Sequence, residues 1–214
     1  DWNIDVPFIS GVFDSHYGWI YGMGARKTGR CTDTFYPWTS PPHNITSIWS
    51  GYTVNLPGDK ARTLIGMPPS QFKPTGGQGN NWTTSSLDAI SCTAMIAGYE
   101  GEGFVLQTTE GVKYTFNVGT VRTVGEMGTD TSTSQSRPQI EVYILASRIE
   151  DRFGNWVNIA YNGNGHPTSI TANDGRSISL QYSGNQLTSA TANGRTWAYG
   201  YAGATLQRVV QPDS

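Results

Sequence analysis

Apolar and polar residues alternate with period two along much of this chain, most regularly near its C-terminal end. Three trios stand out: Val157, Ile159, Tyr161; Ile178, Leu180, Tyr182; and Trp197, Tyr199, Tyr201. Each trio falls at the same offsets from a glycine, Gly154, Gly175 or Gly194. Period two places each trio on one face of a strand and sets Asn158, Ser179 and Ala198 on the other. A turn cluster follows each tyrosine ("NGNGHP", "SGNQ", "AGAT"), and then a second short apolar segment. These segments are marked by Ile170, by Leu187 with Ala190, and by Leu206 with Val209. The glycines are spaced 21 and then 19 residues apart, so each unit reads as one β-hairpin. "NDGR" and "NGR" supply the next turns, because Asn-Gly and Asp-Gly accept positive φ. One hairpin cannot bury an apolar face alone; repetition builds a continuous sheet.

The first 150 residues carry the same period in less regular form. "IDVPFISGVF" alternates at Ile4, Val6 and Phe8, and Pro7 predicts an edge or bulged strand there. "GYTVNLPG" predicts another strand. "GFVLQTTEGVKYTF" predicts a hairpin turning at Glu110-Gly111, with Tyr114 and Phe116 on one face. "RPQIEVYILASRIEDRFGN" alternates at Ile140, Val142 and Ile144 and runs straight into the repeats. Loops lie between ("PWTSPPHN", "KPTGGQGNN", "GEMGTDTSTSQSRP"), and the last has the composition of a disordered segment. The expected organisation is a loop-rich β region over 1–150 followed by hairpin repeats over 151–214. No strong break falls at 150.

The run "DRFGN", then Gly-Arg-x-apolar-x-apolar-x-Tyr, a turn and a Leu/Ile-Thr-Ser segment, resembles the RHS/YD-repeat family. Upstream, "DWNIDVPFISGVFDSHYGW", "GEGF" and "EGVKYTF" resemble the segment that precedes the repeats in bacterial RHS proteins. The resemblance implies an all-β fold, an antiparallel sheet of successive hairpins winding into a hollow shell. It implies a structural, non-enzymatic role in enclosing a toxin or effector domain. It also implies two partners, the remainder of the same polypeptide and its C-terminal cargo, and a secreted or cell-surface bacterial setting. The Asp that follows tyrosine in the family is replaced by Asn162, Ser183 and Ala202. The chain also lacks the family's self-cleavage region and any toxin module.

Composition narrows the remaining possibilities. The 214 residues include 26 glycines, only 14% are charged, and the net charge is −2. That favours short strands and tight turns, and leaves no electrostatic footprint for nucleic acid. "GARKTGR" (Arg26, Lys27, Arg30) reads as a solvated loop. No apolar run approaches the ~18 residues that span a bilayer. The chain opens on Asp1 rather than Met, which fits a processed or excised chain.

Cys31 and Cys92 are the two cysteines. They predict one disulfide, the alternative being a pair of buried thiols, and no clustered metal ligands accompany them. No cofactor or metal site is expected. His16, His43 and His166 sit in unrelated turn-like stretches and predict no catalytic set. Glu100 and Glu102 have a spacing compatible with paired carboxylates, but the neighbouring glycines favour solvated side chains. Asn44-Ile-Thr46 and Asn81-Trp-Thr83 match the glycosylation pattern, coincidentally so in a bacterial chain. Trp2, Trp19, Trp38, Trp49 and Trp82 fall in or near loops, where aromatic faces stack on sugars. The preferred reading is that they plug the shell's end or pack under long loops; the sugar-stacking reading supports the alternative function, a carbohydrate-binding β-domain of a secreted adhesin. Repetition also predicts an unpaired strand edge around Thr196–Val210 and edge-to-edge self-association of the chain.

Overall fold

The computed structural model describes residues 5–14, 31–32, 49–67, 81–98, 101–127 and 137–212. Among these there are strands and turns but no helix. The fifteen strands are β1 (Phe8–Asp14), β2 (Trp49–Asn55), β3 (Arg62–Thr63), β4 (Ile65–Gly66), β5 (Trp82–Thr83), β6 (Ala89–Ala94), β7 (Glu102–Gln107), β8 (Lys113–Met127), β9 (Arg137–Glu150), β10 (Trp156–Tyr161), β11 (Pro167–Ala172), β12 (Ser177–Ser183), β13 (Gln186–Ala192), β14 (Arg195–Ala202) and β15 (Thr205–Val210). They form a single antiparallel sheet that is not closed. From β15 back to β4, strands adjacent in this order are paired, except that β1, β2 and β3 branch off from β9. No described helix is long and apolar enough to cross a membrane.

The branch is what builds the core. Along one side of β9, residues 139–145 pair with β1, and residues 148–150 pair with β10. β8 runs along the other side. The segment after β2 switches partners as it proceeds. Arg62 and Thr63 pair with β2, the Leu64 amide donates to Tyr52 O, Ile65 and Gly66 pair with β5, and the Met67 amide donates to Asn81 O. The sheet therefore curls back on itself. Tyr52 of β2 meets Trp82 of β5 (5.3 Å, edge-on) and Phe104 of β7 (5.2 Å) across the interior. Ile9, Phe13, Val54, Ile90, Leu106, Phe116, Val142 and Ile144 complete a buried cluster with them.

Several local expectations meet this arrangement. Tyr114 and Phe116 stack at 6.1 Å on one face, and Val142 and Ile144 are buried on β9. β1 differs from its expectation. It pairs on both sides and is not an edge; its inward residues are Ile9 and Phe13, while Phe8 is only half-buried and rests on Tyr143. The reason is that Pro7 lies just before the strand. Its carbonyl accepts from Ala146 N, so its missing N–H costs no ladder bond. A register shift between Gly11 and Phe13 gives the bulge. Within "GEMGTDTSTSQSRP", Gly125–Met127 belong to β8 and Arg137–Pro138 to β9; residues 128–136 lie outside the described residues, as do "PWTSPPHN", "GARKTGR", His16, His43, Glu100, Asn44, Trp2, Trp19 and Trp38.

One loop design recurs. In 108–112, 151–155, 162–166 and 172–176 the first residue's N–H donates to the fifth residue's carbonyl, and the fourth residue's N–H donates to the first's carbonyl. The fourth residue is Gly111, Gly154, Gly165 or Gly175, each with φ between 78° and 88°. This is a three-residue hairpin loop closed by a left-handed glycine. Where the first residue is Asp151 or Asn162, its Oδ1 accepts two further amides, at 2.8–3.0 Å. The bonds from Asn155 and the loop amides hold the Asp151 carboxyl below its usual range.

β15 pairs only with β14, so its outer edge is open among the described residues. It contains no proline or lysine, and Val209 stays 44% exposed. Unpaired N–H and C=O groups beside apolar side chains template further pairing. We expect the sedimentation coefficient of the 214-residue chain to rise with concentration, and Val209→Lys to reduce that rise. A concentration-independent monomer would contradict this.

Candidate functional site

The feature that sets this chain apart is the face of the repeat sheet. Cross-strand pairs place Val157, Ile159, Tyr161, Ile170, Ile178, Leu180, Tyr182, Ala190, Trp197, Tyr199, Tyr201 and Val209 on one side. Tyr161, Tyr182 and Tyr201 thus occupy equivalent positions on that side. Asn158, Ser179 and Ala198 lie on the other, where Thr191 and Thr196 share a hydroxyl bond across strands and Arg148 lies over Trp156. Ile159 and Leu180 are buried, but Ile178 and, on the last strand, Val209 remain 39% and 44% exposed, so the apolar face is only partly covered among the described residues.

Each hairpin carries the same irregularity. The register shifts between Ala160 and Tyr161, between Gln181 and Tyr182, and between Gly200 and Tyr201. In every case the extra residue (Thr168, Thr188, Gln207) belongs to the returning strand and has no direct partner. A bulge bends its strand and sharpens the local twist. Three bulges at one unit position bend the sheet in the same sense at every repeat.

Two of the tyrosines also extend the contact between neighbouring strands. Tyr161 Oη donates to Ala146 O at 2.6 Å and Tyr201 Oη to Leu187 O at 2.9 Å, in each case on the neighbouring strand just beyond the residues paired with the tyrosine's own strand. Burial pushes the Tyr161 phenol well above its usual range. Tyr182 departs from this pattern: its ring stacks on His166 at 4.9 Å and 22°. Its phenol is also raised, by burial first and by Tyr201 second. The expected consequence is unequal. Tyr161→Phe should cost about 1 kcal/mol, as for one net hydrogen bond. Tyr182→Phe should change stability by less than ~0.5 kcal/mol, because no hydroxyl bond is lost. Urea denaturation of the two variants checks this, and equal losses would contradict it.

His166 sits at the rim of a depression of about 740 Å³ between the repeat tips and β8. Thr120, Asn164 and Asn185 also line it, together with Val121 and three glycines (Gly98, Gly119, Gly163), and its lining contains no Asp, Glu, Lys or Arg. A Cβ on Gly165 would fall 2.8 Å from Thr120, so this turn lies directly against β8.

The other residues singled out by the sequence are structural where they are described. Cys31 and Cys92 form a disulfide. Beside it, Glu102 Oε2 accepts from the Thr32 amide and hydroxyl, both at 2.8 Å, so this carboxylate ties residue 32 to β7. Trp82 is 2% exposed and donates to Cys31 O at 2.7 Å, so it is a core residue and offers no sugar platform. Trp49 lies in β2. Gly154, Gly175 and Gly194 all have positive φ at turn positions. Among the described residues no group of three or more His, Cys, Asp or Glu could hold a metal ion.

Two arrangements have no counterpart in the sequence patterns. One is the His166–Tyr182 stack. The other is an ion cluster in which Arg62 bonds both Asp59 and Asp88, with Arg62 Nη1 to Asp88 Oδ2 at 2.7 Å and Thr84 Oγ1 to the same oxygen at 2.5 Å. Both depend on contacts between segments far apart in sequence, and neither has a local motif. No protein-family model, no curated protein and no solved structure matches this chain.

Proposed function

We propose that this chain is a structural, non-enzymatic wall segment of an RHS/YD-type β-shell, exported to the bacterial surface or beyond it. In this reading, it helps to enclose or support a toxin or effector domain carried on the same polypeptide. The observation that carries the reading is the bulge repeated before Tyr161, Tyr182 and Tyr201. A sheet that bends the same way at each hairpin winds, and a winding sheet with an open edge at β15 is extended by adding more hairpins. The chemistry of the polar face agrees: it presents Ser, Thr and Asn, with few charges to grip a partner.

The test is the reading frame beyond Ser214. Further hairpins at a spacing of about 20 residues, followed by a region of different composition, are expected. A frame that continues into an unrelated sequence with no such hairpins would sink the proposal. A single substitution tests the underlying architecture. Gly175 has φ +87° with open space around its Cβ position, so Gly175→Val meets no clash and costs only backbone strain. That strain is about 1–2 kcal/mol, and it should lower the midpoint of thermal unfolding without abolishing folding.

A further inference from the structure

We propose that the depression between the repeat tips and β8 is a binding site for a neutral saccharide. A wall segment can carry such a surface site, so the site stands or falls separately from the shell reading.

The lining selects the ligand class. With no Asp, Glu, Lys or Arg in its lining, the site offers no permanent charge to hold an anion or a cation against its loss of hydration. It is rich instead in groups that both donate and accept: the amides of Asn164 and Asn185 and the hydroxyl of Thr120. Sugar hydroxyls also donate and accept, so each can be matched at both ends. The volume of about 740 Å³ suits a ligand of two or three sugar rings. Peptide is the other neutral ligand rich in hydrogen bonds, and its usual capture on a sheet needs an open edge. β7 pairs only with residues 113–116 of β8, and residues 96–97 bond only Asn117 and Gly119. Beside Thr120 and Val121, β8 therefore pairs with β9 alone among the described residues. The imidazole in the lining favours a sugar over a peptide there, and tetraglycine is the control.

His166 supplies the aromatic part. Its ring stacks on Tyr182, which does not itself line the depression, so the tyrosine fixes an imidazole that does. Nδ1 is buried and has no hydrogen-bond partner among the described residues. A buried N–H without an acceptor is more costly than a bare lone pair, which in the neutral ring favours the tautomer with its N–H at Nε2. Nε2 is therefore the ring's donor. The middle hairpin gives up the hydroxyl bond that Tyr161 and Tyr201 make, and it uses that tyrosine to fix this imidazole.

The experiment is calorimetry of the 214-residue chain with maltotriose, cellotriose and chitotriose, alongside a sulfated trisaccharide and tetraglycine. Imidazole nitrogen shifts of His166 are followed by NMR in the same titrations. At least one neutral trisaccharide should bind saturably with Kd of about 1 mM or tighter and move the Nε2 resonance. His166→Phe keeps a ring on Tyr182 and removes the donor; Asn185→Ala removes one amide from an exposed turn. Each should weaken binding about tenfold with an unchanged unfolding midpoint. Should a variant fail to fold, the Nε2 shift in the unaltered chain still decides the question. Absence of saturable binding by all three neutral sugars would overturn the proposal. So would preference for the sulfated sugar or tetraglycine, or binding that leaves both the His166 resonance and the variants unaffected.

Discussion

Replacing Cys31 and Cys92 together with serine should remove about 4 kcal/mol of stability. The bond joins positions separated by 61 residues, so its loss frees a long loop in the unfolded chain. Contacts in the folded state depend on it as well. Cys31 is fully buried, and its carbonyl accepts from the indole of Trp82, which packs against Tyr52. Thr32, the next residue, is tied to Glu102 on β7. The bond thus pins an otherwise remote stretch onto the core beside β6 and β7. Urea unfolding with and without reductant, together with intact mass after alkylation, measures the effect. Equal stabilities in the two conditions, or free thiols in protein purified without reductant, would refute it.

The repeat was legible in the sequence because its determinants are local. Period-two alternation fixed the faces of β10, β12 and β14, and Asn-Gly and Asp-Gly marked the turns. The bulges were legible too, but in a form that invites misreading. Leu187 with Ala190, and Leu206 with Val209, are three apart, and strict alternation would put them on opposite faces. The extra residue, Thr188 or Gln207, restores both to the tyrosine face. The turn after Tyr201 likewise needs no side-chain acceptor at Ala202, because Gly203 takes φ +58° at the first loop position. β1 shows the opposite failure. There the alternation Ile4, Val6, Phe8 was real in the sequence, but the strand begins after Pro7 and buries Ile9 and Phe13 instead.

The candidate sites were far less legible, and the physical reason is distance along the chain. The depression at His166 joins a turn of the first hairpin, a turn of the second and the middle of β8. Period and turn chemistry report neighbours within one hairpin and carry no information about which tip folds over which strand. Trp82 illustrates the same limit. Its loop-like setting of Asn and Thr left packing and a sugar platform both open, with packing preferred; the two-residue β5 carries it into the core, where it meets Tyr52 and Phe104.

The ion cluster at Arg62 yields the second large effect. Arg62→Met should destabilise the fold by about 3 kcal/mol, near the low end for breaking a buried pair because Arg62 itself reaches solvent. The Asp88 side chain is fully buried, and its Oδ2 depends on Arg62 and Thr84, while Oδ1 already lacks a partner. Removing the guanidinium leaves a buried carboxylate with only one hydroxyl. Asp59 is exposed and partly solvated, so its own bond to Arg62 contributes little. The position matters as much as the charge: Arg62 opens the segment that leaves β2 for β5, and Asp88 precedes β6. The pair therefore fastens the crossing by which the sheet curls around its core. Asp88→Asn keeps a polar group beside Thr84 and should cost less than Arg62→Met. In the double variant Arg62→Met/Asp88→Asn the loss should fall below the sum of the single losses by about 1 kcal/mol, because the second change removes the stranded charge. Urea unfolding of the four proteins closes the cycle. Strict additivity would mean that Arg62 acts through packing of its aliphatic stem rather than through Asp88.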